Sequence, residues 1–263
     1  MIKNIPPPST KLATHTNEAL FYRDKNLVDD LIGKVSFTDM MFYHILGRQP
    51  RPADTAILDS VLGTLMEHGL TPSAISTRLT YHSAPEALQA AVSAGLLNVG
   101  SQFVGTMENA AALLDTVTSD DIGIEAAARR EIQAIRESRT MLPGFGHHLH
   151  RPDDPRTPKL FDIAMAQDGI EGTYIDALKT VGRVVDEIYG KHLTINATGA
   201  VSAVLMEIGV PPHIMRGFAV ISRAAGLVAH IAEEHDCPTA RKIWDDTEHA
   251  IPYTGNANLK GGN

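Results

Sequence analysis

Apolar residues recur at helical spacing in almost every long segment of this chain. One such stripe is formed by Ile57, Leu58, Val61, Leu62 and Leu65. Another runs from Leu178 to Ile188 and is followed by Gly190, a residue typical of helix ends. No segment keeps a strict alternation of apolar and polar residues, so strands are not expected beyond a small hairpin. The pattern therefore predicts an all-α protein.

Two helix starts are indicated by residues that commonly cap helices. Ser119 or Asp120 stands before an apolar stripe further along the chain, and Thr157 stands directly before Pro158. A hydroxyl or carboxylate side chain can accept a hydrogen bond from the first free backbone N–H groups, and proline suits the first helical position. We therefore expect one helix to open at Ser119 or Asp120 and another at Thr157.

The composition limits which partners the chain can have. Its 263 residues are 43% hydrophobic, and the formal net charge is −8. An acidic chain lacks the basic face that contact with nucleic-acid phosphates requires. No apolar run approaches the roughly 20 residues of a membrane span, and no secretory leader is evident at the N-terminus. With Cys237 as its single cysteine the chain forms no internal disulfide, so we expect a cytoplasmic protein without nucleic-acid or membrane partners.

The longest interruption between predicted helices runs from Leu142 to Pro158, and its core reads PGFGHHLHRPDDPR. Two glycines around Phe145 let the backbone approach a ligand closely. His147 follows directly and is suited to proton transfer near neutral pH. Arg156 lies nine residues later and can bind a carboxylate through two parallel hydrogen bonds. The pattern is compatible with a binding or catalytic loop, and equally with a polar surface loop.

The same loop also offers metal ligands. His147, His148 and His150, together with Asp153 and Asp154, are residue types that bind transition metals. Adjacent histidines in a loop seldom point at one ion, and we therefore expect no metal site and no tightly bound cofactor.

The loop resembles the Gly-aromatic-Gly-His…Asp-Pro-Arg signature of citrate synthases and of their citryl-CoA lyase relatives, which include part of ATP-citrate lyase. Other segments are similar to this family in the expected order. They are Glu67 to Gly69, Ala94 to Gly100, Ile208 to Pro212, Ser222 to His230, and Trp244 to Asp246 with Tyr253. The likeness covers most of the chain, and it is strongest for the citryl-CoA lyase branch.

The resemblance implies a role for each matching residue. His147 would contact the oxygen at the carbon being joined or cleaved. The backbone of Leu142, Pro143, Gly144, Phe145 and Gly146 would lie against coenzyme A, which is part of the substrate. His68 would act with His147 in the catalytic group. The carboxylates of an oxaloacetate-like half would be held by His68, Arg156, Arg223 and Arg241. Arg241 would do so across a homodimer interface, and larger homo-oligomers remain open.

Two positions depart from the family pattern. Val104 stands where synthases have a histidine that stabilises the enolate of acetyl-CoA, and citryl-CoA lyases also lack this histidine. Thr198 stands where the family has an aspartate that moves a proton on the acetyl methyl group. A threonine hydroxyl is not a base, and removal of a positioned base costs about 100- to 10,000-fold in rate. Glu108 and His148 are substitute proton carriers to consider.

These residues lead to three functional hypotheses. The first is a carbon–carbon lyase that cleaves citryl-CoA or a related 3-hydroxyacyl-CoA to acetyl-CoA and an oxo acid. The second is a non-catalytic protein that binds CoA and carboxylates, and the third is a CoA-thioester hydrolase. The resemblance also implies a citrate synthase-like fold with two helical domains, a large one of residues 1–104 plus 200–263 and a small one of residues 105–199.

Overall fold

The computed structural model describes residues 7–100, 105–147 and 150–255. Near the N-terminus, three short antiparallel strands form one sheet in the order β1-β2-β3. They are β1 (Ala13–His15), β2 (Leu20–Tyr22) and β3 (Lys25–Asn26), followed by one π-helical turn (Leu27–Leu31). The described residues contain no other sheet, which confirms the predicted small role of strands.

All larger elements are helices, and the predicted all-α fold is confirmed. The α-helices are α1 (Phe37–Leu46), α2 (Pro52–Met66), α3 (Pro72–Ser83), α4 (Leu88–Leu96), α5 (Thr106–Ser119), α6 (Ile124–Ser138), α7 (Arg156–Met165), α8 (Thr173–Tyr189), α9 (Ala197–Glu207), α10 (Met215–Asp236) and α11 (Ala240–Ala250). A short 3-10 turn, Pro212–Ile214, precedes α10.

The helix ends show which capping signals operate. Gly190 ends α8 with a positive φ of 67°, as predicted from its position. Ser119 is instead the last residue of α5, and α6 begins at Ile124 after Gly123, so the predicted start at Ser119 or Asp120 is wrong. The predicted cap at Thr157 is also wrong.

Helix α7 begins two residues earlier than predicted, at Arg156, with Pro155 at the N-cap position. The Thr157 hydroxyl donates to the carbonyl oxygen of Ile195 at 2.8 Å, so it is not available to cap the helix. The Thr157 hydroxyl thus makes a tertiary hydrogen bond in place of the predicted cap of α7.

The chain divides into two compact units, residues 1–64 with 106–215 and residues 65–105 with 216–263. These bounds differ from the predicted domains, because the first 64 residues group with the central helices. In unit 1, Arg48 binds the fully buried Asp54 at 2.7 Å and donates to the carbonyl oxygen of Ile208 at 2.6 Å. This contact joins the start of α2 to the end of α9.

Unit 1 has its core around α9, a helix in which Ala197 and Gly199 to Met206 are all buried. Helices α5, α7 and α8 pack against it. Helix α8 turns one apolar face inward, with Ile175, Leu178 and Val181 almost fully buried. Because α9 is buried on most sides, its first turn is a fixed platform for nearby side chains.

Unit 2 is built from α3, α4, α11 and most of α10. Gly95 of α4 packs so closely that an added Cβ would overlap the Thr77 side chain of α3. Arg78, on the same helix α3, is buried with only 1% exposure.

One helical segment, Pro212–Asp236, has the length and mean hydropathy (1.3) of a membrane span, contrary to the expectation that no such stretch exists. Half of it is buried inside the protein, and a core helix passes the same test. It also carries the buried Arg223. The segment is therefore weak support for a membrane helix.

Candidate active site

The glycine loop before His147 is hydrogen-bonded to the residues that lead into α9. Gly146 N–H donates to the carbonyl oxygen of Thr194 at 2.7 Å, and Asn196 N–H donates to that of Gly144 at 3.1 Å. Phe145 lies between these contacts and is 9% exposed. Gly144 and Gly146 have φ values of 82° and 79°, a region that favours glycine. The predicted loop of Leu142 to Gly146 is thus fixed in shape.

The loop also touches the start of α9 directly. A Cβ added to Gly199 would lie 2.5 Å from the carbonyl oxygen of Gly144, closer than real atoms approach. A Cβ on Gly144 would lie 3.0 Å from Gly199 Cα. Two glycines on different segments therefore allow the loop backbone to rest on the helix.

His147 is half-buried at the end of this loop. Its Nδ1 accepts a hydrogen bond from the backbone N–H of His150 at 3.0 Å, and the two rings lie 4.4 Å apart. A neutral ring with Nδ1 accepting carries its proton on Nε2. In this tautomer His147 can act as a hydrogen-bond donor through Nε2–H.

Thr198 lies in the first turn of α9 among neutral groups. Its hydroxyl donates to Asn196 Oδ1 at 2.7 Å, and the Thr106 hydroxyl lies 2.9 Å from it. Because the Thr198 proton is committed to Asn196, Thr106 must be the donor of the second bond. No acidic side chain contacts the Thr198 hydroxyl in the described part of the chain. Thr198 and Thr106 thus form a pair of linked hydroxyl groups at the start of α9.

Asn196 holds this group to the loop. Its Oδ1 also accepts from Gly199 N–H at 3.1 Å, which caps α9, and its Nδ2 donates to the Gly146 carbonyl oxygen at 2.9 Å. Asn196 and Thr106 were not among the predicted site residues. Asparagine is a common N-cap residue, which is a local signal for Asn196.

Arg156 is held by Asp154 through two bonds, from Nε at 2.9 Å and from Nη2 at 2.8 Å. Asp154 is fully buried and also accepts from the backbone N–H groups of Arg156 and Ala197. Burial raises the pKa of Asp154, but the bonds from Arg156 outweigh it and lower the pKa. No described residue accepts from Arg156 Nη1, so this nitrogen can donate to water or to an anionic ligand.

A metal could be bound only by displacing these contacts. Ligand atoms of His147, His150 and Asp154 lie within 4.8 Å of one another. Both oxygens of Asp154 already accept two hydrogen bonds each, which uses the lone pairs a metal would need. Asp153 points elsewhere, and His148 lies outside the described residues. The site is therefore a poor fit for a metal ion.

A pocket of about 290 Å³ opens beside Gly146 and His147. Its lining includes Arg151, Lys191 and His192. Three basic side chains around one opening suit an anionic group. The sequence analysis did not assign these residues, because two of them lie some forty positions after the loop.

His192 is held at this pocket by two carboxylates. Its Nδ1 lies 2.6 Å from Asp186 and its Nε2 lies 3.0 Å from Asp153. The hydrogen bond that His192 donates to Asp186, followed by the one to Asp153, raises the pKa of His192. The side chain is 49% exposed, so the charge is partly screened by water.

In unit 2, Arg223 of α10 is 5% exposed, and its Nε and Nη1 have no hydrogen-bond partner among the described residues. Burial lowers the pKa of Arg223, and the charge of Glu67 opposes this. Buried polar atoms without hydrogen-bond partners destabilise the fold unless a ligand accepts from them. The two nitrogens of Arg223 are thus compatible with anion binding, and the role of Arg223 stays a prediction.

The remaining predicted residues are placed as follows. His68 is half-buried in the turn after α2, where Gly69 has a φ of 71°. Arg241 is exposed on α11, pairs with Asp245 at 3.0 Å and covers the Trp244 ring at 4.7 Å. Val104 lies outside the described residues. The structure thus gathers His147, Thr198 and Arg156 with the glycine loop in unit 1, and places Arg223 and His68 in unit 2.

Comparison with known proteins gives a family match. The family model described as "Citrate synthase, C-terminal domain" matches residues 10–244. A citrate synthase of Synechocystis is 25% identical over 230 residues, which are 86% of this chain and 55% of that protein. A probable ATP-citrate synthase subunit 1 of Neurospora crassa is 26% identical over 74% of this chain and 31% of that protein. The chain thus spans about half or less of these relatives.

Among solved structures, citryl-CoA lyase from Hydrogenobacter thermophilus is 28% identical with a TM-score of 0.84, covering 97% of this chain and 98% of that chain. ATP citrate lyase from Methanothrix soehngenii, in complex with citrate and coenzyme A, has a TM-score of 0.78 at 17% identity. It covers 98% of this chain and 43% of that chain, and it shows likeness in fold.

Proposed function

The chain belongs to the citrate synthase family, and we propose that it is a carbon–carbon lyase that cleaves citryl-CoA or a related 3-hydroxyacyl-CoA to acetyl-CoA and an oxo acid. The observation that carries this proposal is the Thr198–Thr106 hydroxyl pair beside the His147 loop, at the position where the resemblance implies a carboxylate. A synthase must remove a proton from the weakly acidic methyl group of acetyl-CoA, and neither hydroxyl is a base for that step.

Cleavage does not begin at the methyl carbon. The hydroxyl of the substrate loses its proton, the carbon–carbon bond breaks, and its electrons pass to the thioester as an enolate. The enolate carbon then takes a proton from water, which yields acetyl-CoA, while the former hydroxyl carbon becomes the carbonyl of the oxo acid. The lack of a carboxylate base should therefore lower the rate of cleavage less than the rate of condensation.

We assign His147 to the hydroxyl oxygen of the substrate, which it would contact during cleavage. As a donor through Nε2–H, it stabilises the negative charge that develops on this oxygen. To accept the hydroxyl proton at Nε2, the ring must carry its own proton on Nδ1, and the contact with His150 N–H must open. The step thus requires a small rearrangement at His150.

Coenzyme A enters this proposal as part of the substrate, with no tightly bound cofactor. The glycine loop offers close backbone approach, and Arg151 and Lys191 line the adjacent pocket, where they suit phosphate groups. Arg156 and Arg223 would bind the carboxylates of the other half of the substrate, with His68 as a further contact.

A second candidate, a non-catalytic protein that binds CoA and carboxylates, is favoured by one observation. No described acidic residue contacts the Thr198 hydroxyl, so nothing there replaces the lost aspartate. Such a protein would keep the pocket and show no turnover.

The test is incubation with citryl-CoA while oxo-acid release is followed with a coupled reductase. We expect turnover by the wild type and a loss of about 100-fold or more in His147→Gln. His15→Gln, an exposed change on β1, is the control and should retain activity. Measurable CoA binding without turnover would establish the second candidate, and an unchanged rate in His147→Gln would refute the assigned role.

We also propose that the chain forms a homodimer or a larger homo-oligomer. Trp244, Ile251 and Tyr253 are at least half exposed in and after α11, which is an unusual amount of apolar surface for one short segment. Sedimentation velocity should show a species of at least twice the 28.4 kDa chain mass, and a monomer at all concentrations would refute this.

A further inference from the structure

Unit 2 contains a line of buried polar groups that the proposed reaction does not use. It begins at Arg78 on α3, which is 1% exposed. Nη1 of Arg78 binds Glu234 at 2.8 Å, and its Nε donates to Nδ1 of His230 at 3.0 Å. Glu234 in turn accepts from the backbone N–H groups of Thr239 and Ala240. Arg78 is therefore fixed at both ends of its guanidinium.

The contact with Arg78 determines which ring nitrogen of His230 carries the proton. Arginine is always protonated in proteins, so its Nε–H can only donate, and Nδ1 of His230 must accept. A neutral His230 ring therefore carries its proton on Nε2. This nitrogen lies 2.9 Å from Oε2 of Glu67, in a poorly aligned geometry that still places a positive N–H beside the carboxylate.

Glu67 uses its other oxygen on the turn that follows α2. Oε1 accepts from His68 N–H at 2.7 Å and from Gly69 N–H at 2.6 Å. Burial raises the pKa of Glu67, but the bonds from His68, His230 and Gly69 outweigh it and lower the pKa. The carboxylate is therefore charged at neutral pH and holds two successive backbone groups.

Close backbone packing between α10 and the end of α2 brings His230 near Glu67. Gly226 of α10 lies against the end of α2, where an added Cβ would overlap the Met66 carbonyl oxygen and lie 3.3 Å from Glu67 Oε2. With no side chain at this point, the two segments touch, and His230 one turn later comes within reach of Glu67.

We propose that Glu67 is a positioning residue, which orients the His68 turn for its role in binding a carboxylate and is itself held by the Arg78–His230 pair. Burial lowers the pKa of Arg223, and the negative charge of the Glu67 carboxylate raises it. Glu67 thus acts on His68 through the backbone and on Arg223 through charge. This inference rests on the proposed function for the roles of His68 and Arg223.

The test compares Glu67→Gln and His230→Leu with Glu233→Gln. Glu233 is a matched control, because it is on α10, is 65% exposed and pairs with the outer nitrogen of Arg78. Three quantities are measured: the amide ¹H–¹⁵N resonance of Gly69, the Kd for oxaloacetate, and kcat and KM for citryl-CoA.

In Glu67→Gln we expect an upfield shift of the Gly69 amide proton and a Kd raised about tenfold, the effect of losing one charge-assisted hydrogen bond. KM should rise with the Kd while kcat changes little. His230→Leu should shift the same resonance, and Glu233→Gln should not. Glu67→Asp keeps the charge and an Asx-type contact to Gly69, so it should restore most of the affinity.

A Gly69 resonance and an oxaloacetate affinity that match the wild type in Glu67→Gln would overturn the inference. So would equal effects of Glu67→Gln and Glu233→Gln, because these would indicate a general loss of charge. A wild type that binds oxaloacetate without cleaving citryl-CoA would refute the proposed lyase function alone. If the wild type binds no oxaloacetate, the carboxylate-binding role fails together with the inference.

Discussion

The side-chain amide of Asn196 donates to the backbone carbonyl oxygen of Gly146 at 2.9 Å, one residue before His147. Its Oδ1 meanwhile caps α9 and accepts the Thr198 hydroxyl. One side chain therefore holds both the loop that presents the His147 imidazole and the hydroxyl of Thr198.

Asn196→Ala should weaken both the fold and the site. We expect a loss of about 1–2 kcal/mol in the free energy of unfolding, since a helix cap and a buried hydrogen bond disappear together. Urea unfolding measures this loss. Asn196→Asp keeps the cap and loses only the donor to Gly146, so it should be more stable than Asn196→Ala. Both variants should have a raised KM for the CoA ester, because both lose the hydrogen bond to the loop. Equal stability of both variants would contradict the capping role.

Thr198→Asp should add the chemistry that the wild type lacks. A carboxylate at this position can remove a proton from the methyl group of acetyl-CoA, and a positioned base contributes about 100- to 10,000-fold. The measurement is exchange of the methyl hydrogens with deuterium from the solvent, in the presence of oxaloacetate. Thr198→Asn has the same size without a base and should stay at the wild-type level. Rapid exchange by the wild type would show that another residue is already the base.

Asp154→Asn should be strongly destabilising. The fully buried carboxylate accepts from Arg156 and from Ala197 N–H, and its loss should cost about 3 kcal/mol at pH 7 because Arg156 loses its partner. The pKa of Asp154 is lowered in the folded protein, so its contribution is present above the unfolded pKa and is lost as the pH falls through the folded value.

The neighbouring change Asp153→Asn is the control, because this side chain is 69% exposed. It should cost less than about 1 kcal/mol, as exposed ion pairs do. Denaturant unfolding at pH 7 and at pH 3 measures both variants. The difference between them should shrink at acid pH, and a constant difference would contradict the assigned pKa direction.

His192→Asn should reveal a pH dependence of the opposite sign. The pKa of His192 is raised by Asp186 and Asp153, so its stabilising effect is complete below the unfolded pKa and is lost as the pH rises through the folded value. The melting temperature of the variant should fall below that of the wild type at pH 6 and match it at pH 9. The effect is small, because the ring is half exposed. A deficit that persists at pH 9 would point to a packing role.

The features that local sequence determines were predicted well. Apolar spacing in α2 and α8 indicated helices, and Gly190 marked a helix end, because these signals act within one or two turns. The glycine loop was recognised for the same reason. The start of α7 was misplaced because the Thr157 hydroxyl binds Ile195, a residue 38 positions away.

The parts of the site that depend on distant partners could not be predicted. Asp154 caps α9 through Ala197, 43 positions later, and His192 meets Asp153 across 39 positions. Neither pairing leaves a local pattern. Thr106 gives another case, since its contact with Thr198 spans 92 positions. The sequence predicted a threonine in the place of an aspartate, and the fold adds the contact of that threonine with a second hydroxyl.

The close approach of Gly144 and Gly199 has a consequence for how this family can diverge. Their contact depends on the absence of any side chain, and it is independent of what residue 198 does chemically. We therefore expect residue 198 to vary among related chains while both glycines are retained. The backbone contact would then stay the same in chains that catalyse different reactions.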